Sequence, residues 1–565
     1  MNDPPANSIE DANVVNVATR MSEHARRMPE QIAVVETGPT RGTSPNSYRQ
    51  ITFGQLESQS NEIAAGLRAI GVTPGTRLVL LVPPGLDFVT LVFGLLKSGA
   101  VAILIDPGMG RENLVRCLSE AEPEGFVAIP MAQAVRTVLR SRFKKSRFNI
   151  TVGRRWFWGG HTLKQLRAKG KAEDFLIDSG TTDPAAIIFT TGSTGPPKGV
   201  LYRHGNFDRQ VTEIAQQYNI APGTINLAAF PLFGLFNAGM GATTIFPSMD
   251  FTRPADVDPE SILTALSDWN VTQAFASPAL WKRVGRYCES TGNQMGTLRA
   301  IYSAGAPVPG QVIQQIRNQI HPEGEFHTPY GATEALPVAT IAGNEVLEDT
   351  QERTDQGAGV CVGRHFPGIE WKVVRIVEGP LKRLEEAESL PRGEIGELLV
   401  SGPVVTTEYV TRIDANETSK VFDAEGRLWH RMGDSGYLDD LDRFWFCGRV
   451  AHRVQTLSGP RYTIPCEAIV NTLDEVERSA LVGVGPPGKQ ELVLIVEPQE
   501  QEAARSPEAS AQLSSLVKRF CQANSKLSDV EQVLVHPKLP VDIRHNAKIF
   551  RERLAIWATQ ELARG

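Results

Sequence analysis

Between Thr190 and Gly199 the chain reads Thr190-Thr191-Gly192-Ser193-Thr194-Gly195-Pro196-Pro197-Lys198-Gly199, directly after an apolar run at 185–189. Four hydroxyls, three glycines and one lysine stand within ten residues. Glycines let backbone N–H groups come close to phosphate oxygens. Hydroxyls add donors, and that of Thr191 is placed to touch a magnesium ion. Lys198 adds positive charge. A triphosphate at neutral pH asks for that combination. The bland alternative is a flexible Gly/Ser/Thr connection. A GxxxxGK[ST] loop fails on spacing, because Pro197 precedes Lys198 and Gly199 follows it.

Four further segments carry groups suited to a nucleotide: Ser303-Ala304-Gly305-Ala306-Pro307, Tyr330-Gly331-Ala332-Thr333-Glu334, Trp429-His430-Arg431-Met432-Gly433-Asp434 with Gly448-Arg449 beyond it, and Asn546-Ala547-Lys548. Taken singly, Glu334 reads as a surface carboxylate, Asp434 as a turn carboxylate and Lys548 as solvated surface. Taken in order, the five segments resemble the signature of the adenylate-forming superfamily: acyl-CoA synthetases, luciferases and peptide-synthetase adenylation domains. Val200-Leu201-Tyr202-Arg203-His204-Gly205-Asn206 continues the first segment in the same way. The resemblance implies ATP and magnesium. Gly305 and Ala306 would lie along the adenine, and Tyr330 would cover the base with Gly331 beside it. Thr333 would reach the α-phosphate and Glu334 the magnesium. Asp434 would accept from both ribose hydroxyls, and Arg449 would contact ribose or phosphate. Met432 stands where a threonine is usual. Lys548 would bridge the substrate carboxylate and the α-phosphate. A carboxylate would then attack the α-phosphorus, release pyrophosphate and leave an acyl-adenylate, with positioning and charge compensation supplying the rate.

Relatives differ in the second step. Many turn the C-terminal domain on an Asp or Lys two residues past the junction arginine and admit a thiol. Here that position is Ala451, followed by His452, and Pro460 interrupts Ser458-Gly459-Pro460-Arg461-Tyr462-Thr463. A narrower resemblance, from about Asn16 to Leu562, is to olefin β-lactone synthetases. It is carried by Tyr202-Arg203-His204-Gly205-Asn206-Phe207, by Tyr330-Gly331-Ala332-Thr333-Glu334-Ala335-Leu336-Pro337 and by Leu539-Pro540-Val541-Asp542-Ile543-Arg544-His545-Asn546-Ala547-Lys548-Ile549. It implies a 2-alkyl-3-hydroxy fatty acid whose own β-hydroxyl attacks the adenylated carbonyl, giving a β-lactone and AMP, and assembly with other olefin-pathway enzymes. A long-chain fatty acyl-CoA synthetase is the alternative, and an inactive scaffold a third. His204 is a catalytic candidate, orienting the carboxylate or β-hydroxyl, or else it packs structurally. Residues 230–241 match the acyl-site segment, and Gly234, where relatives often have His, would leave room for a branched acid.

These groups need a frame. Strand-like runs at 79–82, 101–105, 185–189, 272–276 and 300–302 alternate with helical spacing such as 86–98, the pattern of parallel α/β sheets. Residues 394–405 turn to β without helices. The expected architecture is α/β. A large N-terminal adenylation domain at 1–448 has parallel sheets plus a β-subdomain. A small, mobile α+β domain at 449–565 carries Lys548, with a strand at 492–496, a solvated loop or exposed helix at 499–514, and a helical tail at 549–562. Composition is that of a globular chain, 41% hydrophobic and 22% charged with a formal charge of -6 at pH 7. Basic residues form no stripe, so nucleic acid is not expected. Six scattered cysteines without a CxxC pair suit reduced thiols. The apolar stretch at 78–105 is broken by Pro83, Pro84, Asp87 and Lys97, so no transmembrane segment is expected. A cytoplasmic enzyme fits these features.

Overall fold

The computed structural model describes residues 15–38, 47–171, 174–190, 195–542 and 548–564. Among them, sheets of seven, nine and six strands make up the part before Arg449. In the first sheet Arg77–Leu81, Val101–Leu104 and Pro184–Phe189 lie parallel, and Gly199–Arg203 closes the edge antiparallel to Pro184–Phe189. The chain therefore reverses through the glycine- and hydroxyl-rich segment. The second sheet has a parallel centre that includes Gln273–Ala276 and Ala300–Ser303, and ends in the antiparallel hairpin Glu325–Ala332 and Ala335–Ala342. Helix Leu86–Lys97 touches strands of both sheets and buries every residue except Asp87, as a helix apolar on all sides must. Its one internal cation, Lys97, is paired at 2.6 Å with Glu57.

Two more helices lie in the space between the sheets. His204–Gln217 packs on Gly199–Arg203 of the first sheet and Ala335–Ala342 of the second. Asn206 starts it, accepting from the Arg203 N–H at 3.0 Å. Pro231–Met240 begins with proline, whose missing N–H costs nothing at that position. The third sheet is antiparallel, and its strands Leu428–Leu438 and Phe444–Arg449 set Asp434 opposite Arg449.

After Arg449 the character changes. Val476–Val484, Glu491–Pro498 and Gln532–Val535 form a separate three-stranded sheet. Its two apolar clusters draw only on residues from Val454 onward. It rests on the larger part through Lys282 and Glu477 at 2.6 Å, and through Lys526 donating to the Gln356 carbonyl at 2.6 Å. The stretch expected as a solvated loop or exposed helix at 499–514 leads into helix Pro507–Ala523, which is exposed or half-buried up to Gln512 and buries Leu513, Val517 and Cys521. Its apolar stripe is one residue wide per turn, and most of it lies beyond the Ala/Glu/Gln/Ser-rich run that masked it. The tail helix is Arg551–Leu562, while Ile549 bridges Val541 instead. All six cysteines are free and buried. Burial pushes the thiols of Cys288 and Cys521 up to about 11 and those of Cys361 and Cys447 to about 12, and raises Cys117 and Cys466 as well.

Inside the small domain Arg551 grips both oxygens of buried Glu467 at 2.6 Å. Arg551→Leu leaves that carboxylate unpaired and is expected to cost about 3–5 kcal/mol, read as a lowered calorimetric transition. Adding Glu467→Leu should restore most of the loss. A single variant that melts like the parent would show the pair to be dispensable.

Candidate active site

The neck of the glycine-rich segment is closed twice. The Thr190 N–H donates to the Lys198 carbonyl at 3.0 Å, and the Lys198 N–H donates to Thr190 Oγ1 at 3.0 Å. Thr191, Gly192, Ser193 and Thr194 lie outside the described residues; Gly195 rejoins the chain beyond them. Lys198 Nζ donates to the hydroxyl of Tyr409 at 3.2 Å and stands 4.3 Å over its ring. That hydroxyl donates in turn to Glu334 Oε1 at 2.6 Å. Glu334 and Thr333 form the two-residue turn of the hairpin, between paired Ala332 and Ala335. The turn is pinned from both sides. Tyr202 donates to the Thr333 carbonyl at 2.6 Å, and Thr406 donates to the Glu334 carbonyl through both its N–H and its hydroxyl, at 2.9 and 3.0 Å. Lys420 donates to the Thr406 carbonyl. Burial pushes its ammonium down to about 7, with Glu334 opposing the shift.

A second cluster adjoins the first. Asp434, 4% exposed, accepts from Arg449 at 2.7 Å on one oxygen and from the Tyr330 hydroxyl on the other. Gly433 has φ +65, and a Cβ there would stand 3.3 Å from the Arg449 guanidinium. Glycine is required by both conformation and space. Met432, in place of threonine, is buried among apolar side chains. Gly305 and Ala306 follow the strand Ala300–Ser303, Gly305 with φ +100. Thr190, Lys198, Tyr330, Gly331, Thr333, Glu334, Asp434 and Arg449 are thus brought together from four separate stretches of chain.

Two catalytic candidates stand differently. His204 is wholly buried at the start of its helix, and its Nδ1 accepts from the Val17 N–H at 3.3 Å. Burial pushes its imidazole down to about 4, so it is neutral near neutrality. Its Nδ1 is engaged in packing, while its Nε2 is buried with no hydrogen-bond partner among the described residues. Lys548 sits on the small domain at the foot of a hairpin, its carbonyl accepting from the Asp542 N–H at 3.0 Å. Residues 543–547 lie outside the described residues. At the junction, Val450–His452 is a short helical turn whose His452 Nε2 lies 3.1 Å from Glu552 Oε1.

An apolar cavity of about 70 Å3 lies near this polar group, lined by Phe230, Phe233, Phe275, Tyr302 and Gln210 and reaching Ala304 and Leu336. The acyl-site segment therefore faces it, but Gly234 does not. A Cβ at Gly234 would lie 2.7 Å from the Phe246 ring and 3.2 Å from Thr244. A side chain there would strike the sheet behind the helix, so its absence does not enlarge this cavity.

A phosphate turn with a lysine, a carboxylate one hydroxyl away, a diol-sized acceptor beside an aromatic ring and an apolar cavity near them can hold ATP against a fatty carboxylate. A family model described as AMP-binding enzyme matches residues 21–410. The chain belongs to that family. It is 42% identical over 554 residues to the olefin beta-lactone synthetase of Stenotrophomonas maltophilia (strain K279a), covering 97% of this chain and 98% of that one. It is 41% identical to the olefin beta-lactone synthetase of Xanthomonas campestris pv. campestris, with the same coverage. In fold it is similar to ATP-bound MatB from Rhodopseudomonas palustris, with TM-score 0.76 and 19% identity over 96% of this chain and 99% of that one. It is likewise similar to the anthranilate CoA ligase AuaEII in complex with anthranoyl-AMP, with TM-score 0.78 and 16% identity over 99% and 100%. This AMP-binding enzyme is an ATP-using, adenylate-forming one. No described helix is long and apolar enough to cross a membrane.

Sequence reasoning missed Tyr409, Thr406 and Lys420. They come from one stretch without glycine-rich or charged patterning, and only its return across the first sheet gives them meaning. Tyr409→Phe removes one hydroxyl shared by two charged groups, a bond worth roughly 1.5–3 kcal/mol. Pyrophosphate exchange by the AMP-binding enzyme is expected to fall about 10–100-fold with the melting temperature little changed; a loss within twofold would deny the hydroxyl a positioning role. His204 gives a pH prediction. Its folded pKa lies below the unfolded value, so as pH falls from 6.5 toward 4 the unfolded chain takes a proton that the folded chain refuses. That proton uptake should drain on the order of 3 kcal/mol of stability. His204→Gln should flatten this part of the stability–pH curve; a curve parallel to the parent's would count against it.

Proposed function

We propose that this chain activates a 2-alkyl-3-hydroxy fatty acid with ATP and closes it to a β-lactone, releasing pyrophosphate and then AMP. The observation that carries the reading is the near full-length identity to two olefin beta-lactone synthetases. The apolar cavity, whose lining includes Pro329 and Leu336 on either side of the Thr333–Glu334 turn, supports it.

In the first step a carboxylate oxygen forms a bond to the α-phosphorus and the bond to the pyrophosphate oxygen breaks. Asp434 receives the ribose. An ionised carboxylate offers about four acceptor sites, and Arg449 and Tyr330 occupy only two, which leaves room for two sugar hydroxyls. Tyr330 lies against the base, with Gly305 and Ala306 along its edge. Thr333 and the turn from Thr190 to Lys198 take the phosphates. Magnesium suits the donors here: one carboxylate, Glu334, held in place by Tyr409, with Thr191 and phosphate oxygens completing an oxygen shell. No group of three or more His, Cys, Asp or Glu residues among the described residues offers a cage of its own. When bound, the ion supplies charge neutralisation to the phosphates. Lys548 swings in from the small domain to meet the carboxylate and the α-phosphate, a preorganised cation at developing negative charge.

In the second step the β-hydroxyl oxygen bonds to the acyl carbon, the bond from that carbon to the AMP oxygen breaks, and the hydroxyl proton passes to solvent. The nucleophile is tethered, and effective concentrations in such cases reach about 10^5–10^8 M. No thiol needs to be admitted, which suits Ala451 at the position where thiol-using relatives carry a charge. The reaction belongs in the cytoplasm beside a reductase that supplies the hydroxy acid and a decarboxylase that consumes the lactone.

The decisive experiment offers a synthetic 2-alkyl-3-hydroxy acid with ATP and magnesium, with and without coenzyme A, and reads products by mass spectrometry. β-Lactone and AMP should appear at equal rates in both. Thioester accumulation would overturn the lactone step, and pyrophosphate release with no acid at all would overturn adenylation. Lys548→Ala should cut pyrophosphate exchange roughly 100-fold or more while ATP still binds.

A further inference from the structure

The acyl cavity has a neighbour. A second, smaller cavity of about 30 Å3 lies against the first sheet, lined by Val92, Leu96, Leu104, Ala186 and Val211 among others. The two share Phe207, Leu235 and Phe236, so a partition of three side chains separates them. They run side by side. Ile188 lines the first and Ala186 the second, two residues apart on one face of a strand and so about 7 Å along it. A few methylenes span that distance.

Their linings differ in chemistry. The first includes Gln210, whose Nε2 donates to the Leu336 carbonyl at 2.7 Å. Its Oε1 is buried and has no hydrogen-bond partner among the described residues. The Tyr302 hydroxyl on the same cavity is buried and unpartnered in the same sense. Buried polar atoms left so are costly, and a ligand hydroxyl would relieve the cost. The second cavity presents no polar side chain at all; only hydrocarbon is at home there.

We infer that the two cavities divide the two arms of one substrate: the arm on C3, which carries the hydroxyl, occupies the first, and the plain alkyl branch on C2 passes the Phe207–Leu235–Phe236 partition into the second. This rests on the proposed two-armed hydroxy acid. The carboxyl remains at the mouth of the first cavity, near Ala304 and Leu336. The hydroxyl then lies within the polar part of the first cavity, on the side from which it must close on the acyl carbon.

The test uses one helix as a ruler. Ile214 lines only the first cavity and Val211 only the second. For the full-length protein, kcat/KM is measured on two series of acids. One varies the C2 branch from methyl to butyl at a fixed C3 arm, and the other varies the C3 arm at a fixed branch. Val211→Phe should lower the preference for butyl over methyl at C2 roughly tenfold or more, and Ile214→Phe should do the same along the C3 series. Crossed penalties support the assignment. Both variants penalising the same arm, or neither changing a ratio in a folded protein, would overturn it. If Val211→Phe melts too low to assay, Leu104→Ala reads the same arm in the opposite sense: the ratio for the longest branches should rise, and an unchanged ratio overturns the assignment. Failure of the parent protein to turn over any member of either series would remove the hydroxy-acid reading first and this one with it; turnover without discrimination would remove this one alone.

Discussion

One hydroxyl holds the phosphate side of the site together. Tyr409 accepts from Lys198 and donates to Glu334, so a cation from the first sheet and an anion from the second meet through a neutral group. Direct contact of the two charges would cancel them and spend both. A phenol between them keeps each oriented while leaving donors on the ammonium and an oxygen on the carboxylate for something else. The stretch that carries Tyr409 is itself clamped. Asn206 donates to the Pro403 carbonyl at 2.9 Å, Asn416 donates to the Tyr409 carbonyl at 3.0 Å, and Thr411 accepts from the Gly199 N–H at 2.8 Å. That strap adds to the helices between the sheets and to the Tyr202–Thr333 hydrogen bond in fixing the two charged turns against each other.

The Asp434 side depends on a different device. Asp434 and Arg449 face each other across a strand pair, and Arg449 is also the last strand residue before the small domain. The acceptor proposed for the sugar and the junction to the small domain are therefore one ion pair apart. The segment that leads into the small domain begins with a residue that already touches Asp434. His452, two residues past the junction arginine's neighbour Val450, meets Glu552 at the start of the tail helix. The turn between the domains is thus tied at both ends by polar contacts that a change of angle must exchange.

Much of this was legible beforehand, and the reason differs between its parts. The strands at Val101–Leu104 and Pro184–Phe189 announce themselves because fully buried parallel strands are continuous apolar runs. The nucleotide groups were legible because backbone approach and phosphate charge demand glycine, hydroxyl and lysine within a few residues. Tyr409 and Lys420 were not, because their meaning comes from long-range packing: each lies more than sixty residues along the chain from Glu334. The buried stripe of helix Pro507–Ala523 was hidden for the opposite reason, diluted by polar neighbours. Gly234 taught a further limit. Its type suggested open space, but the direction of its missing side chain, toward Phe246, decides what that space is for.

The state of the cysteines has a bearing on what such a protein must survive. A four-membered lactone, the product proposed for this chain, is an acylating agent, and thiolates are its readiest targets. Every cysteine of this chain is buried, and burial holds each as the neutral thiol, the poorly nucleophilic form. None appears among the residues lining either cavity. The chain thus withholds its softest nucleophiles from any electrophile formed there, a kind of immunity that requires no dedicated shield.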